Sequence, residues 1–447
     1  MSQQTSAQLQ ASAASVAAIA GRARAASRPL AKLSAQTRNE VLMAAAQALE
    51  QGAARILEAN ERDCRAAEGA VAAGKMTSAM LARLRVTERG IAQMATQVRE
   101  VARLEDPLGR RLSATELDDH LVLYKETCPF GVVGVVFESR PDVVPQLASL
   151  ALKSGNAVIM KGGSESAQTN EVLVAIWREC LGRFPSVPID AISLLQTRAD
   201  VMELLALDRD VDLIIPRGSY ELVQFIMKHS RIPVLGHSEG ICHVYVDRAA
   251  DIRKAVEIAY DSKVQYPAVC NAAETLLVHE AIAETFLPQM VAKLEEAGVE
   301  IRGCGKTLAL LPAAAIVPAT ERDWATEYGD LILSVKIVAD LDEAIGHINR
   351  YGSRHTDAIV TEDAAAAQRF MSEVDSAGVF QNASTRFADG YRYGLGAEVG
   401  ISTSKLHARG PMGLEGLTTY KYKLFGDGHT VGPYSKGERK FKHRRLQ

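Results

Sequence analysis

Val132-Val-Gly-Val-Val-Phe137 leads into Val143-Val-Pro-Gln-Leu-Ala-Ser-Leu-Ala-Leu-Lys153, and that into Ala157-Val-Ile-Met160-Lys161-Gly-Gly-Ser164. The outer two runs are short and rich in β-branched residues, so they read as strands buried on both faces, while the middle run has helical spacing. Strands joined through helices are the signature of a parallel sheet, whose strands need crossover connections. The alternation continues through strands at Ala191 to Leu195, Val211 to Ile215 and Val244 to Asp247, separated by helical segments at Ser166 to Leu181, Val201 to Leu207 and Tyr220 to His229. This pattern predicts an α/β domain with a parallel sheet covered by helices.

Ligands of such sheets bind beyond the carboxyl ends of the strands, which directs attention to two turns, Lys161-Gly-Gly-Ser164 and Pro216-Arg-Gly-Ser219. Each combines a basic residue, glycine for close backbone approach, and a serine able to cap the next helix (Ser164 or Ser166; Ser219). A helix start with unpaired N–H groups accepts phosphate readily. An ordinary Gly-Ser turn has the same residues, but two on one sheet edge favour a nucleotide. The Gly-x-Gly-x-x-Gly fingerprint is missing, and Gly394-Leu-Gly396-Ala-Glu-Val-Gly400 has the wrong spacing and context for it.

A second alternation follows Tyr266-Pro-Ala-Val-Cys-Asn-Ala-Ala-Glu-Thr-Leu-Leu-Val-His279, with strands at Thr275 to Val278, Ser334 to Val338, Ala358 to Thr361 and Val379 to Gln381. Cys270 then lies in a turn-forming loop behind a helix at Asp251 to Lys263, at an element edge where catalytic groups are held by packed neighbours. Read without context, it is a nucleophile or simply a small buried hydrophobe.

At 447 residues the chain calls for two or more domains, and 47% apolar with 23% charged residues is a globular composition. A net charge of −3 gives no electrostatic case for a nucleic-acid partner. Six cysteines without a Cys-x-x-Cys pair or zinc-like histidine spacing argue against a disulfide framework and structural zinc, and point to a reducing cytoplasm. No apolar run is long enough to span a membrane. Helices are expected from Val16 through Ala31 and from Thr37, with Ser34 or Thr37 as N-cap, to about Leu104. Leu117 to Phe130 reads as an antiparallel ribbon with exposed pairing edges, and the basic end, Lys436 to Arg445, as a solvated tail.

Several long motifs, in order, resemble the gamma-glutamyl phosphate reductases, the glutamate-5-semialdehyde dehydrogenases of proline biosynthesis. They are Phe130 to Asp142, Lys153 to Gly163, Val269 to Val278, Val335 to Ile345, Asn382 to Gly390 and His407 to Glu415. The resemblance runs from about Gln10 to about Tyr420, which favours a helix over a cleavable presequence near the start. More distantly the chain is similar to the aldehyde dehydrogenase superfamily, implying two Rossmann-like parallel-sheet domains plus a small oligomerisation ribbon. The expected division is 1–115 and 131–247 for NADPH binding, 248–405 for catalysis, and 116–130 with 406–447 for oligomerisation.

The resemblance implies that Cys270 is the nucleophile. It puts Lys161 at the adenosine ribose, Gly162 beside it, Gly218 and Ser219 near the pyrophosphate, and Glu327 on the nicotinamide ribose. Ser164 stands where NAD-preferring relatives often carry glutamate, leaving room for a 2′-phosphate, so NADPH is expected. Arg140, Arg386 and Arg409, with Asn271, are the candidates for holding substrate, each arginine weighed against a structural ion pair. Two departures matter. Phe137-Glu138 replaces the superfamily's Trp-Asn, so the Cys270 N–H is the remaining oxyanion donor, and the general-base position falls near Val234 with Glu239 several residues away. A missing base suits an enzyme whose thioester must escape water. The implied substrate is L-glutamyl 5-phosphate, supplied by a separate glutamate 5-kinase, in a homodimer or homotetramer. An oxidative aldehyde dehydrogenase, a cysteine hydrolase using His237, His243 or His279, and a non-catalytic nucleotide-binding protein are the alternatives.

Overall fold

The structure, a computed structural model, describes residues 15–74, 76–138, 140–237 and 239–446. The start of the family-like region near Gln10 lies outside them. The chain forms two compact units, 1–235 with 396–399 and 413–447, and 236–395 with 400–412.

The first unit opens with the helices Val16–Leu30, Ala35–Gln51, Ala53–Ala72, Ser78–Leu84 and Glu88–Arg103. Ser34 is the cap of the second, its hydroxyl accepting the Thr37 N–H at 3.0 Å, as a short polar side chain before a helix commonly does. Helix Glu88–Arg103 buries Ile91, Met94, Ala95, Val98, Val101 and Ala102, the three-to-four spacing of one face. Two buried cations tie this layer to the sheet domain. Arg38 donates to Asp106 at 2.6 Å and to the Lys153 carbonyl at 2.9 Å, while the Lys153 ammonium donates to Asn39 at 2.7 Å and to the Ala102 carbonyl at 3.0 Å. Unpaired, each would carry a large desolvation cost.

Four parallel strands follow, in the sheet order Ile192–Leu194, Ala157–Lys161, Val132–Phe137, Leu213–Arg217. Every residue of Val132–Phe137 is buried, as expected for a strand with neighbours on both sides and helices on both faces. The order reverses direction between Val132–Phe137 and Leu213–Arg217, so the switch point of the sheet lies past Phe137 and Arg217.

The ribbon is longer than the sequence suggested. Strands Arg111–Asp118 and Leu121–Pro129 pair antiparallel around His120, whose φ of 60° closes the turn. The tail reading needs correction. Thr418–Phe425 pairs with the second ribbon strand and Arg444–Leu446 with the first, giving a four-stranded antiparallel sheet. The basic residues are not simply solvated: Arg444 pairs with Glu116 and Arg439 with Asp118, each at 2.6 Å. Glu116 and Arg444 stand directly opposite in this register, an opposite-charge pair that favours it.

The second unit holds seven parallel strands in the order Ile316–Pro318, Glu300–Gly303, Ile332–Val338, Ala273–His279, Cys242–Val246, Thr356–Val360, Gly378–Gln381. The strand read as Val244 to Asp247 therefore differs from its expected place: it is central here, and does not join the first sheet. Alternate residues feed two cores. Val244, Val246, Leu276 and Val278 pack on one face, Tyr245 and Leu277 on the other, the period-two consequence of a strand covered on both sides. Among the described residues no helix is long and apolar enough to cross a membrane.

Candidate active site

Cys270 lies half-buried in the loop between helix Ile252–Val264 and strand Ala273–His279. Asp251 starts that helix by accepting the Lys254 N–H at 3.0 Å. Behind the loop the two flanking elements are joined by a buried pair, Lys263 Nζ to Glu274 Oε2 at 2.6 Å. Burial pushes the Glu274 carboxyl up to about 7 against the pull of Lys263, and the same burial pushes the Lys263 ammonium down. The loop itself is fixed by its neighbours. The Asn271 carbonyl accepts the Thr385 hydroxyl at 2.7 Å, the Asn271 amide donates to the Ala388 carbonyl at 2.8 Å, and Gly240 lies flat against the Cys270 backbone.

The cluster around Cys270 forms at the amino ends of the central strands. Cys242 opens one strand and donates its thiol to the Cys270 carbonyl at 3.3 Å; burial holds this thiol well above the ordinary range, so it stays protonated. His355, just before Thr356–Val360, lies 3.7 Å from Cys242 Sγ through Nδ1, which also meets the Thr356 hydroxyl at 2.9 Å. His237 turns Nδ1 to the Ile401 carbonyl at 3.0 Å and stands edge-on to His355, ring centres 5.1 Å apart.

Of the three histidines considered as partners for Cys270, only His237 lies in this cluster. His243 is buried against Asp357 at 2.8 Å on the opposite side of its strand's alternation, and His279 caps the next helix by accepting the Ala281 N–H at 3.0 Å. His355 and Cys242 were not singled out from the sequence. Their only signal there is a polar residue at the start of an apolar run, which is commonplace.

Arg386 is buried with Nε donating to Gln265 at 3.0 Å. Burial, then Arg392, pushes its guanidinium down, while Cys270 acts in the opposite sense. Arg409 instead donates to Asp375, to the carbonyl at 2.9 Å and the carboxylate at 3.0 Å, and Arg140 is exposed and meets Asp142 at 2.8 Å. Glu327 is half-buried, and its charge adds to the burial that pushes the Glu239 carboxyl up.

In the first unit, Lys161 ends a strand beside the sheet's switch strand and is 9% exposed, its ammonium pushed down by burial and pulled up by Glu165. A Cβ on Gly162 would come within 2.2 Å of the Asn170 amide and 3.0 Å of the Phe137 ring, so a side chain there would have to displace Asn170. The serines do not cap as expected. Ser166 donates to the Gly163 carbonyl, and the first N–H groups of helix Ala167–Leu181 are taken by Asp63, with Thr169 N at 2.8 Å. Ser219 N donates to Glu138 at 2.8 Å, and a Cβ on Gly218 would lie 2.4 Å from that carboxylate. Both helix starts are thus occupied by carboxylates that local sequence could not reveal. Ser164 is exposed, with the Glu165 carboxylate folded back on Gly163.

A model of the aldehyde dehydrogenase family matches residues 2–302. The gamma-glutamyl phosphate reductase of Pelotomaculum thermopropionicum is 54% identical over 428 residues, covering 96% of this chain and 97% of the relative. The chain belongs to the gamma-glutamyl phosphate reductases of the aldehyde dehydrogenase family. That of Methanococcoides burtonii is 53% identical, with 95% of each chain covered. The crystal structure of the Thermotoga maritima reductase has a TM-score of 0.89 at 40% identity, covering 93% of this chain and 99% of that one. The α/β architecture with parallel sheets is therefore that of the family.

Proposed function

We propose that this chain reduces L-glutamyl 5-phosphate to L-glutamate 5-semialdehyde with release of phosphate, using NADPH and a thioester on Cys270, as a step of proline biosynthesis. The observation that carries the reading is over half identity to gamma-glutamyl phosphate reductases along nearly the whole chain, joined to a cysteine fixed in a loop by Asn271 and Gly240.

Cys270, as thiolate, attacks the acyl carbon of the substrate. A carbon–sulfur bond forms and the phosphate leaves with the electron pair of the broken carbon–oxygen bond. A reduced nicotinamide, when bound, would supply the hydride that the acyl carbon accepts. The Cys270 N–H opposes the charge developing on the acyl oxygen, and the Cys270 thiolate then departs to leave the aldehyde. Arg386 is the best placed of the three arginines to hold an anion of the substrate, since Arg409 and Arg140 already face Asp375 and Asp142. Asn271 fixes the loop through Ala388 and keeps its Oδ1 buried without a hydrogen-bond partner. Lys161, Gly162 and Ser164 are assigned to the adenosine ribose and its 2′-phosphate, Gly218 and Ser219 to the pyrophosphate, and Glu327 to the nicotinamide ribose. The support for a dinucleotide is the buried cation Lys161 at the carboxyl end of a strand next to the switch point. Pyrophosphate at Ser219 requires Glu138 to leave that N–H.

The test is the reverse reaction. NADP+ reduction by glutamate 5-semialdehyde should depend on added phosphate and fail with succinate semialdehyde, whereas turnover with water alone would mark an oxidative aldehyde dehydrogenase.

A further inference from the structure

We propose that His237, Cys270 and His355 are a binding site for Zn2+, and that Zn2+ held there withdraws the Cys270 thiol from catalysis. The donor atoms of these three side chains lie within 4.8 Å of one another. Tetrahedral Zn2+ with one sulfur and two nitrogen ligands needs donor separations of about 3.3–3.6 Å, so closing the site takes a shift of at most about 1.5 Å. Two of the three donors, on Cys270 and His237, belong to half-buried side chains on loops, where such an adjustment is least restrained.

A second observation points to the same place. His355 is 1% exposed, and its Nε2 has no hydrogen-bond partner. An unpaired buried nitrogen costs about 1–3 kcal/mol, a penalty that a cation ligated through Nε2 would remove. The outer partners also suit a metal. Nδ1 of His237 faces the Ile401 carbonyl, which can only accept, so the neutral ring carries its lone pair on Nε2. That carbonyl contact orients the ring as the second partners of metal-bound histidines do. Cys242 donates its S–H to the Cys270 carbonyl and supports the loop without acting as a ligand. One thiolate and two imidazoles form a donor set matched to Zn2+, with a fourth position left for water. Binding releases the Cys270 proton to solvent and transfers no electrons. The three residues come from separate loops, so no sequence spacing announces them.

The inhibitory consequence rests on the proposed role of Cys270; the site itself does not. Titration of the purified full chain with Co2+ should give a thiolate-to-cobalt charge-transfer band that Zn2+ abolishes. Cys270→Ser should remove the band, and His237→Gln should weaken binding by more than the about 10–100-fold that loss of an outer partner costs. Zn2+ should also protect Cys270 from alkylation, reversibly on chelation. No band, or a band that survives in Cys270→Ser, overturns the site. A chain that shows the band but reduces no acyl phosphate keeps the site and loses the functional reading, while an active reductase without the band does the reverse.

Discussion

Gly240 lies against the Cys270 backbone so closely that a Cβ on Gly240 would fall 2.0 Å from the Cys270 carbonyl oxygen and 2.4 Å from its Cα. The contact is backbone on backbone, with no flexible side chain to yield, so the loop carrying the thiol is set by the absence of a methyl group. Gly240→Ala should therefore push Cys270 out of place. A misplacement of about 1 Å is worth about 100-fold in rate, against a stability cost of about 1–3 kcal/mol for overpacking. The expected result is a folded variant with kcat/KM down by that order; wild-type kinetics would show that this approach does not position the nucleophile.

Cofactor preference is tested at the Lys161 turn. A carboxylate at Ser164 would stand beside the site assigned to the 2′-phosphate and repel it, and Glu165 already places one acid nearby. Ser164→Glu should shift the ratio of kcat/KM for NADPH over NADH by about tenfold or more toward NADH, about 1.4 kcal/mol. An unchanged ratio would remove the ribose assignment of this turn.

His347 gives the protein an acid limit. It is buried among His243, Lys336 and Arg350, and burial first, then these charges, holds its pKa far below the ordinary value. Lys336 Nζ lies 3.4 Å from Nδ1, an arrangement for a neutral ring. Below about pH 6.5 the unfolded chain binds a proton at this residue that the folded chain refuses, so the stability present above that pH is lost as pH falls, by up to about 1.4 kcal/mol per unit. Chemical denaturation of wild type and His347→Gln from pH 7.5 to 5 should show the wild-type curve falling more steeply below 6.5. Parallel curves would contradict this.

The outer strand Thr418–Phe425 gives the expected assembly a test. Its pairing edge away from Leu121–Pro129 is the end of the sheet order, and Tyr420, Tyr422, Leu424 and Phe425 are exposed along it. Such an edge invites pairing with another copy, and we expect a homodimer, or a tetramer built from it. Light scattering over a dilution series should show a dimer in the wild type and a monomer in Tyr422→Glu/Leu424→Glu; an active wild-type monomer at micromolar concentration would rule the assembly out.

What was legible in the sequence follows from how local each signal is. Val132–Phe137 and Tyr220–His229 match their patterns because the pattern is the cause: a strand buried on both faces and a one-sided helix each need that spacing of apolar residues. Glu300–Gly303 escaped because a strand of Glu-Ile-Arg-Gly has one large apolar residue and no periodicity to read. Thr418–Phe425 does alternate, yet its partner lies far back in the chain, and strand pairing is not a local property. The same limit governs the site. Cys270 was visible in its motif, but the approach of Gly240, the pairing of His237 with His355 across distant loops, and the carboxylates of Asp63 and Glu138 on two helix starts are products of the tertiary fold.

The central claim is that the acyl group passes through a thioester on Cys270. Rapid mixing of the enzyme with glutamate 5-semialdehyde and NADP+ in the absence of phosphate, followed by acid quench and peptide mass spectrometry, tests it most directly. The account predicts a burst of NADPH equal to the enzyme present and a glutamyl adduct on the peptide containing Cys270, released on adding phosphate and absent from Cys270→Ser. A burst that survives in Cys270→Ser, or an adduct on any other residue, would contradict it.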